Sequence, residues 1–192
     1  GGRIAIAIDR SRALPIALLG VMKAGHAYVP LDVSQPLDRL RQVASAAQVD
    51  GIICQDERIR AIAPSAFAVR LDEFDFNEPL DNCVLPRVRP EGSAYILFTS
   101  GSTGMPKGVE VGHRALTNII FDVVRRCGLQ ATDVALASSA ITFDVAATEF
   151  YAPLIAGGRV VLADMDQVRS GFELVALAKR SRATLMQATP TL

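Results

Sequence analysis

The residues best suited to chemistry lie in one stretch, Tyr95-Ile96-Leu97-Phe98-Thr99-Ser100-Gly101-Ser102-Thr103-Gly104-Met105-Pro106-Lys107-Gly108. An apolar run that reads as a buried strand delivers a segment holding three glycines, four Ser or Thr hydroxyls and one lysine. Glycines let backbone N–H groups turn toward a ligand and approach it closely. The hydroxyls can donate to phosphate oxygens, and Lys107 adds a positive charge. Polyphosphate needs that combination, although the same composition also suits a flexible Ser/Gly turn between strands.

Spacing removes three familiar alternatives. A Walker loop needs Gly-Lys followed by Ser or Thr, whereas Lys107 sits between Pro106 and Gly108. A dinucleotide fingerprint needs Gly-x-Gly-x-x-Gly, and here two residues separate Gly101 from Gly104. No Gly-x-Ser-x-Gly elbow is present to expose a nucleophilic serine.

A second grouping is Phe143-Asp144-Val145-Ala146-Ala147-Thr148-Glu149-Phe150. Asp144 opens a helical stretch, where its carboxylate can meet a cation or cap the helix. Val145 and Thr148 lie one helical turn apart, which suits either a pocket wall or ordinary helix packing. Glu149 can brace a site or face solvent, and Phe143 can border a ligand or join a core.

These groups are set into alternating strand-like and helix-like segments. Ile4 to Ile8, Tyr28 to Leu31 and Ile52-Ile53-Cys54 read as strands, separated by the helical stripes Leu14, Leu18, Val21 and Leu40, Val43, Ala44, Ala47. Residues 72–92 break the pattern with Asp72, Glu73, Asp75, Glu78, Pro79, Pro86 and Pro90, and read as a surface connection. Ala94 to Phe98 and Val109 to Val111 then read as strands, and Leu116, Ile119, Ile120, Val123 and Val124 as one helix face. Val134 to Ala137, Arg159 to Leu162 and Thr184 to Gln187 are extended, with helices over about 143 to 156 and around Leu174, Leu177 and Ala178. The alternation predicts an α/β fold of mainly parallel sheets flanked by helices. The expected organisation is a first α/β block over 1–71, a connecting loop over 72–92, and a second block over 93–192 carrying the phosphate loop and the start of the substrate pocket. The chain opens Gly1-Gly2-Arg3 without Met and stops at Leu192 after a buried-looking run, so it reads as truncated at both ends.

Composition narrows the function classes. Half of the 192 residues are hydrophobic, enough for a sizeable core. Lys plus Arg and Asp plus Glu both number 20, and zero net charge speaks against nucleic acid as the main partner. No apolar run approaches a membrane span, and no signal peptide is visible. Cys54, Cys83 and Cys127 are scattered, and with only His26 and His113 to join them they make a structural zinc site improbable. A reduced, cytoplasmic compartment is expected.

Thr99 to Gly108, with Tyr95 to Phe98 before it, resembles the signature Thr-Ser-Gly-Ser-Thr-Gly-x-Pro-Lys-Gly of the AMP-forming adenylating superfamily, and every fixed position matches. That superfamily contains acyl-CoA synthetases, luciferases and the adenylation domains of nonribosomal peptide synthetases. Three further segments resemble the peptide-synthetase branch, in the expected order. Lys23-Ala24-Gly25-His26-Ala27-Tyr28-Val29-Pro30-Leu31-Asp32 is similar to Lys-Ala-Gly-x-Ala-Tyr-Val-Pro-Leu-Asp. Phe143 to Glu149 is similar to Phe-Asp-x-Ser-x-x-Glu, with Ala146 in place of Ser. Gln187-Ala188-Thr189-Pro190-Thr191 resembles the next wall of the pocket.

The resemblance implies a part of the large N-terminal domain of the adenylate-forming fold. It implies that Thr99, Ser100, Gly101, Ser102, Thr103, Gly104 and Lys107 wrap the β- and γ-phosphates of ATP, with Lys107 and Thr99 assisting catalysis. A carboxylate then attacks the α-phosphorus, giving an acyl-adenylate and pyrophosphate. Asp144 is implied to meet the α-ammonium of an amino acid, with Phe143, Val145 and Thr148 beside the substrate. Mg²⁺ is implied too, its Glu ligand lying further along, as do the ribose-binding Asp, the adenine-contacting segment and a mobile C-terminal domain with a catalytic Lys. No metal ligand is expected within the chain itself, and the fragment alone is expected to be inactive. The implied partners are an amino acid and a carrier-protein domain, in the same longer polypeptide, whose phosphopantetheine thiol takes the aminoacyl group. His113 needs no base role, because a carboxylate nucleophile needs none. An acyl- or aryl-CoA ligase and a non-catalytic nucleotide-binding remnant are the alternatives.

Overall fold

A computed structural model describes residues 1–75, 84–100 and 106–188, the side chain of Ser100 excepted. Ile4, Ala5, Ile6 and Ala7 are all buried, so strand β1 (Arg3–Ala7) has apolar neighbours on both faces, as expected inside a parallel sheet. The crossovers supply that cover. Helix α1 (Ala13–Lys23) buries Leu14, Ala17, Leu18 and Val21, the three- and four-residue spacing of one helix face. Strand β2 (Ala27–Pro30) follows, and α2 (Leu37–Ala47) buries the Leu40, Val43, Ala44 and Ala47 stripe read from the sequence. Strand β3 (Gly51–Cys54), the short helix α3 (Glu57–Arg60) and strand β4 (Phe67–Arg70) complete this run. Of the expected connection over 72–92, Glu78 and Pro79 lie outside the described residues.

Strands β5 (Ser93–Ser100) and β6 (Pro106–Gly112) add to the same sheet, whose order is β4-β3-β1-β2-β5-β6. All of its pairings are parallel except β5 with β6. The sequence pattern groups residues 93–112 with the later block, whereas here they extend the first sheet. The reason is a long-range pairing: β5 pairs with β2 through Tyr28 and Tyr95, whose rings stack with centroids 5.3 Å apart. The chain divides into two compact units, Gly1–Asp9 with Ala13–His113, and Arg10–Arg12 with Arg114–Leu192.

Helix α4 (His113–Cys127) follows the hairpin. It buries Leu116 and Ile120, while Ile119 is 45% exposed, so its buried stripe is narrower than the sequence pattern. The second unit holds a parallel three-stranded sheet in the order β8-β7-β9, from β7 (Val134–Ala137), β8 (Arg159–Leu162) and β9 (Leu185–Met186). Central β7 is buried at every residue. Helix α5 (Val145–Ile155) buries Ala146, Ala147, Glu149, Phe150, Tyr151 and Ala152. The short α6 (Met165–Arg169) starts on a capping box between Asp164 and Gln167, and α7 (Gly171–Ser181) buries Leu174 and Leu177.

Gly108 is among the glycines constrained by packing. A Cβ on Gly108 would stand 3.0 Å from the Phe98 ring and 3.3 Å from Ile96 Cγ2, and both residues pack in the first unit's core. Gly108→Val is therefore expected to destabilise the chain by about 1–3 kcal/mol, the usual range for overpacking. Val109→Thr, at an exposed neighbour, should change urea denaturation midpoints little; equal effects would contradict this packing.

Candidate functional site

The β5–β6 hairpin fixes both flanks of the glycine- and hydroxyl-rich segment. Its last ladder pairs are Thr99 with Lys107 and Ser100 with Pro106. Gly101, Ser102, Thr103 and Gly104 lie outside the described residues, as does Met105. Directly opposed residues of an antiparallel pair put their side chains on one face, with Cβ atoms about 4.5–5.5 Å apart. Thr99 and Lys107 thus set out side by side from one face of the hairpin, and both residues are exposed. Phe98 and Gly108 occupy the other face, where Phe98 packs against the core. One face of the hairpin is anchored while the other offers a donor and a cation at the loop's mouth.

The second group gathers at the carboxyl ends of the parallel strands in the other unit, the edge where α/β sheets take ligands. Glu149 on α5 is only 5% exposed. Its carboxylate accepts from the Ser138 N–H at 3.2 Å, the Ser139 N–H at 3.0 Å and the Ser139 hydroxyl at 2.8 Å. Burial pushes this carboxyl above the ordinary range, opposed by the Ser139 hydrogen bonds and by the charge of Arg10. Arg10 donates from Nε to the Ala163 carbonyl at 2.6 Å and from its two terminal nitrogens to the Ser139 and Ala137 carbonyls at 2.5 and 2.9 Å. Burial lowers its pKa, and Glu149 and Asp164 act the other way.

Asp144 takes the N-cap place of α5, but with helical backbone angles and no side-chain cap hydrogen bond. A capping residue normally adopts extended angles, so the capping alternative has no support. Asp144 is exposed, and Phe143 is 65% exposed and outside the core. Val145 is half-buried, and the Thr148 hydroxyl is 2.7 Å from the Val145 carbonyl, to which it donates, and 3.3 Å from Gln187 Oε1. Ser138 Oγ reaches the Gln187 carbonyl at 3.4 Å, tying the ends of β7 and β9 together. Thr189, Pro190 and Thr191, from the segment after Gln187, lie outside the described residues. Ala146, where the related motif carries Ser, is 3% exposed, so a hydroxyl there would need a buried partner. Asp144, Val145 and Thr148 therefore share the start of α5, and Glu149 ties the same helix to Ser138 and Ser139. Arg10 escapes sequence reasoning: a lone arginine after an apolar strand carries no spacing signal.

Among the described residues no three His, Cys, Asp or Glu side chains gather to hold a metal ion. None of the described helices is long and apolar enough to cross a membrane.

A model of the AMP-binding enzyme family matches residues 1–192. The chain belongs to that family. A dimodular nonribosomal peptide synthase of Bacillus subtilis (strain 168) is 35% identical over an alignment of 198 positions that covers 98% of this chain and 8% of that protein. The crystal structure of a holo four-domain nonribosomal peptide synthetase bound to AMP and glycine superposes with a TM-score of 0.83 at 29% identity, over 99% of this chain and 14% of that one. The N-terminal subdomain of Klebsiella oxytoca NpsA, in complex with 3-hydroxybenzoyl-AMSN, gives a TM-score of 0.82 at 26% identity, over 97% of this chain and 46% of that one. The α/β architecture is that of the N-terminal domain of adenylate-forming synthetases.

The raised pKa of Glu149 has a consequence for stability. A carboxyl whose folded pKa exceeds its unfolded one contributes stability that is present below the unfolded pKa and lost as pH rises through the folded pKa. Glu149→Gln is expected to gain stability relative to the parent sequence as pH rises from about 4 through that interval. Urea denaturation at stepped pH measures the difference, and a pH-independent difference would contradict the shift.

Proposed function

We propose that this chain serves an adenylation enzyme that joins an amino acid to AMP and passes the aminoacyl group to a phosphopantetheine thiol on a carrier protein in the same polypeptide. In this reading the amino acid's carboxylate attacks the α-phosphorus of ATP. A new bond from carboxylate oxygen to phosphorus forms as the bond to the β-phosphate oxygen breaks, and pyrophosphate leaves. Positioning and charge neutralisation dominate such a step. Lys107, the Thr99 hydroxyl and the N–H groups of residues 99–104 hold the β- and γ-phosphates. Mg²⁺, when bound with ATP, would neutralise phosphate charge, and the family resemblance puts its Glu ligand further along the sequence.

The observation that carries the amino-acid reading is Asp144, an exposed carboxylate at the start of α5 that makes no cap bond. A carboxylate so placed pairs with an α-ammonium, a charge-assisted contact of about 1.5–3 kcal/mol. Val145 and Thr148, on the same helical face, line the side-chain pocket, and exposed Phe143 borders it. A synthetase with AMP and glycine bound, superposing on this chain, supports the same assignment. The 3-hydroxybenzoyl ligand of NpsA favours a second reading, activation of an acid without an amine. Asp144 weighs against it, because such an acid leaves the carboxylate unpaired. The chain spans 8% of the dimodular synthase, so these activities are those of a longer enzyme, and the segment alone is expected to turn nothing over.

In the complete enzyme, Lys107→Ala is expected to lower kcat for amino-acid-dependent pyrophosphate exchange by about 10²–10³, with a smaller change in amino-acid KM. Asp144→Ala should weaken use of amino acids by roughly 10- to 100-fold while sparing their des-amino analogues. Equal losses for both substrate classes would overturn the ammonium role, and AMP formation with non-amino acids alone would favour the second reading.

A further inference from the structure

Arg10 and Glu149 hold opposite polar groups of one short segment. Glu149 takes the N–H groups of Ser138 and Ser139, while Arg10 takes the carbonyls of Ala137 and Ser139. The third bond of Arg10, to Ala163, reaches the end of β8, so one planar guanidinium joins two strand ends and the loop that leaves one of them. That loop runs directly to Phe143 and Asp144, closing with a turn from Phe143 N–H to the Ala140 carbonyl at 3.0 Å. Glu149 is itself on α5, which Asp144 opens. Loop and helix are thus pinned to the same point from two sides. Guanidinium geometry matters here: its donors lie in one rigid fork, whereas lysine offers a compact point charge. The three hydrogen bonds of Arg10 all go to backbone carbonyls, so its fork holds main chain in place.

We propose that Arg10 is a positioning residue for substrate binding, fixing through Ala137, Ser139 and Ala163 the place from which Asp144 meets the amino acid. The inference rests on the reading of Asp144 as the ammonium partner. Misplacement of such a group by about 1 Å is worth on the order of 10²-fold in rate.

The test uses the complete enzyme with Arg10→Met and Arg10→Lys, varying amino acid and ATP separately in pyrophosphate exchange. In Arg10→Met the amino-acid KM is expected to rise on the order of tenfold or more while the ATP KM moves less than about twofold. Arg10→Lys should show the same split at smaller amplitude, and hydrogen exchange at the Ser138 and Ser139 amides should quicken in both. If Arg10→Met does not fold, the split in Arg10→Lys decides alone. An unchanged amino-acid KM, or one that rises in step with that of ATP, overturns the proposal and leaves Arg10 a cap on the sheet. Asp144→Ala measured alongside separates the two failures: if it leaves discrimination against des-amino analogues intact, the reading of the site fails, whatever Arg10 does.

Discussion

Where a parallel strand stops, its last N–H and carbonyl groups lose their ladder partners and must find others. In both units of this chain the solution to that constraint is also what presents the candidate chemistry. In the first, β5 turns back into β6, and antiparallel pairing up to Ser100 and Pro106 satisfies the backbone to the edge of the loop. In the second, the groups just beyond β7 are taken by side chains, the Ser138 and Ser139 N–H groups by the carboxylate of Glu149 and the Ser139 carbonyl by the guanidinium of Arg10. A buried carboxylate is costly unless hydrogen-bonded, and Glu149 is tolerated because three donors converge on it.

The two solutions suit different tasks. A hairpin anchored by Phe98 over Gly108 sets Thr99 and Lys107 opposite each other at its end. Glu149 on α5 and Arg10 at the strand ends instead pin the loop and the helix that flank Asp144. Discrimination between an amino acid and its des-amino analogue requires the second kind of rigidity, because a loose carboxylate loses most of the benefit of a charged contact.

Much of this was legible in the sequence because burial leaves a periodic trace. The Leu40, Val43, Ala44, Ala47 stripe and the Val134 to Ala137 run stand where the pattern put them, in α2 and β7. Strand β4 left no such trace: Phe67 is 55% exposed at a sheet edge, and its neighbours are only half-buried. Helices α3 and α6 are too short to show a period and are defined by caps, Asp56 on the Ile59 N–H and the Asp164–Gln167 box. The grouping of β5 and β6 with the first sheet depended on a pairing of Tyr28 with Tyr95 across 66 intervening residues, which no local window sees. Arg10 was invisible for a related reason. Its partners are backbone carbonyls more than a hundred residues away, and backbone has no sequence signature.

The grip of the hairpin's loop on a triphosphate tail is the claim on which the proposed chemistry stands. Hydrogen–deuterium exchange on the complete enzyme, comparing ATP with AMP at equal saturation, measures it directly. Amides across residues 99–107 are expected to be protected by ATP and left nearly unchanged by AMP, which lacks the β- and γ-phosphates. Equal protection by both nucleotides, or protection confined to other segments, would contradict it.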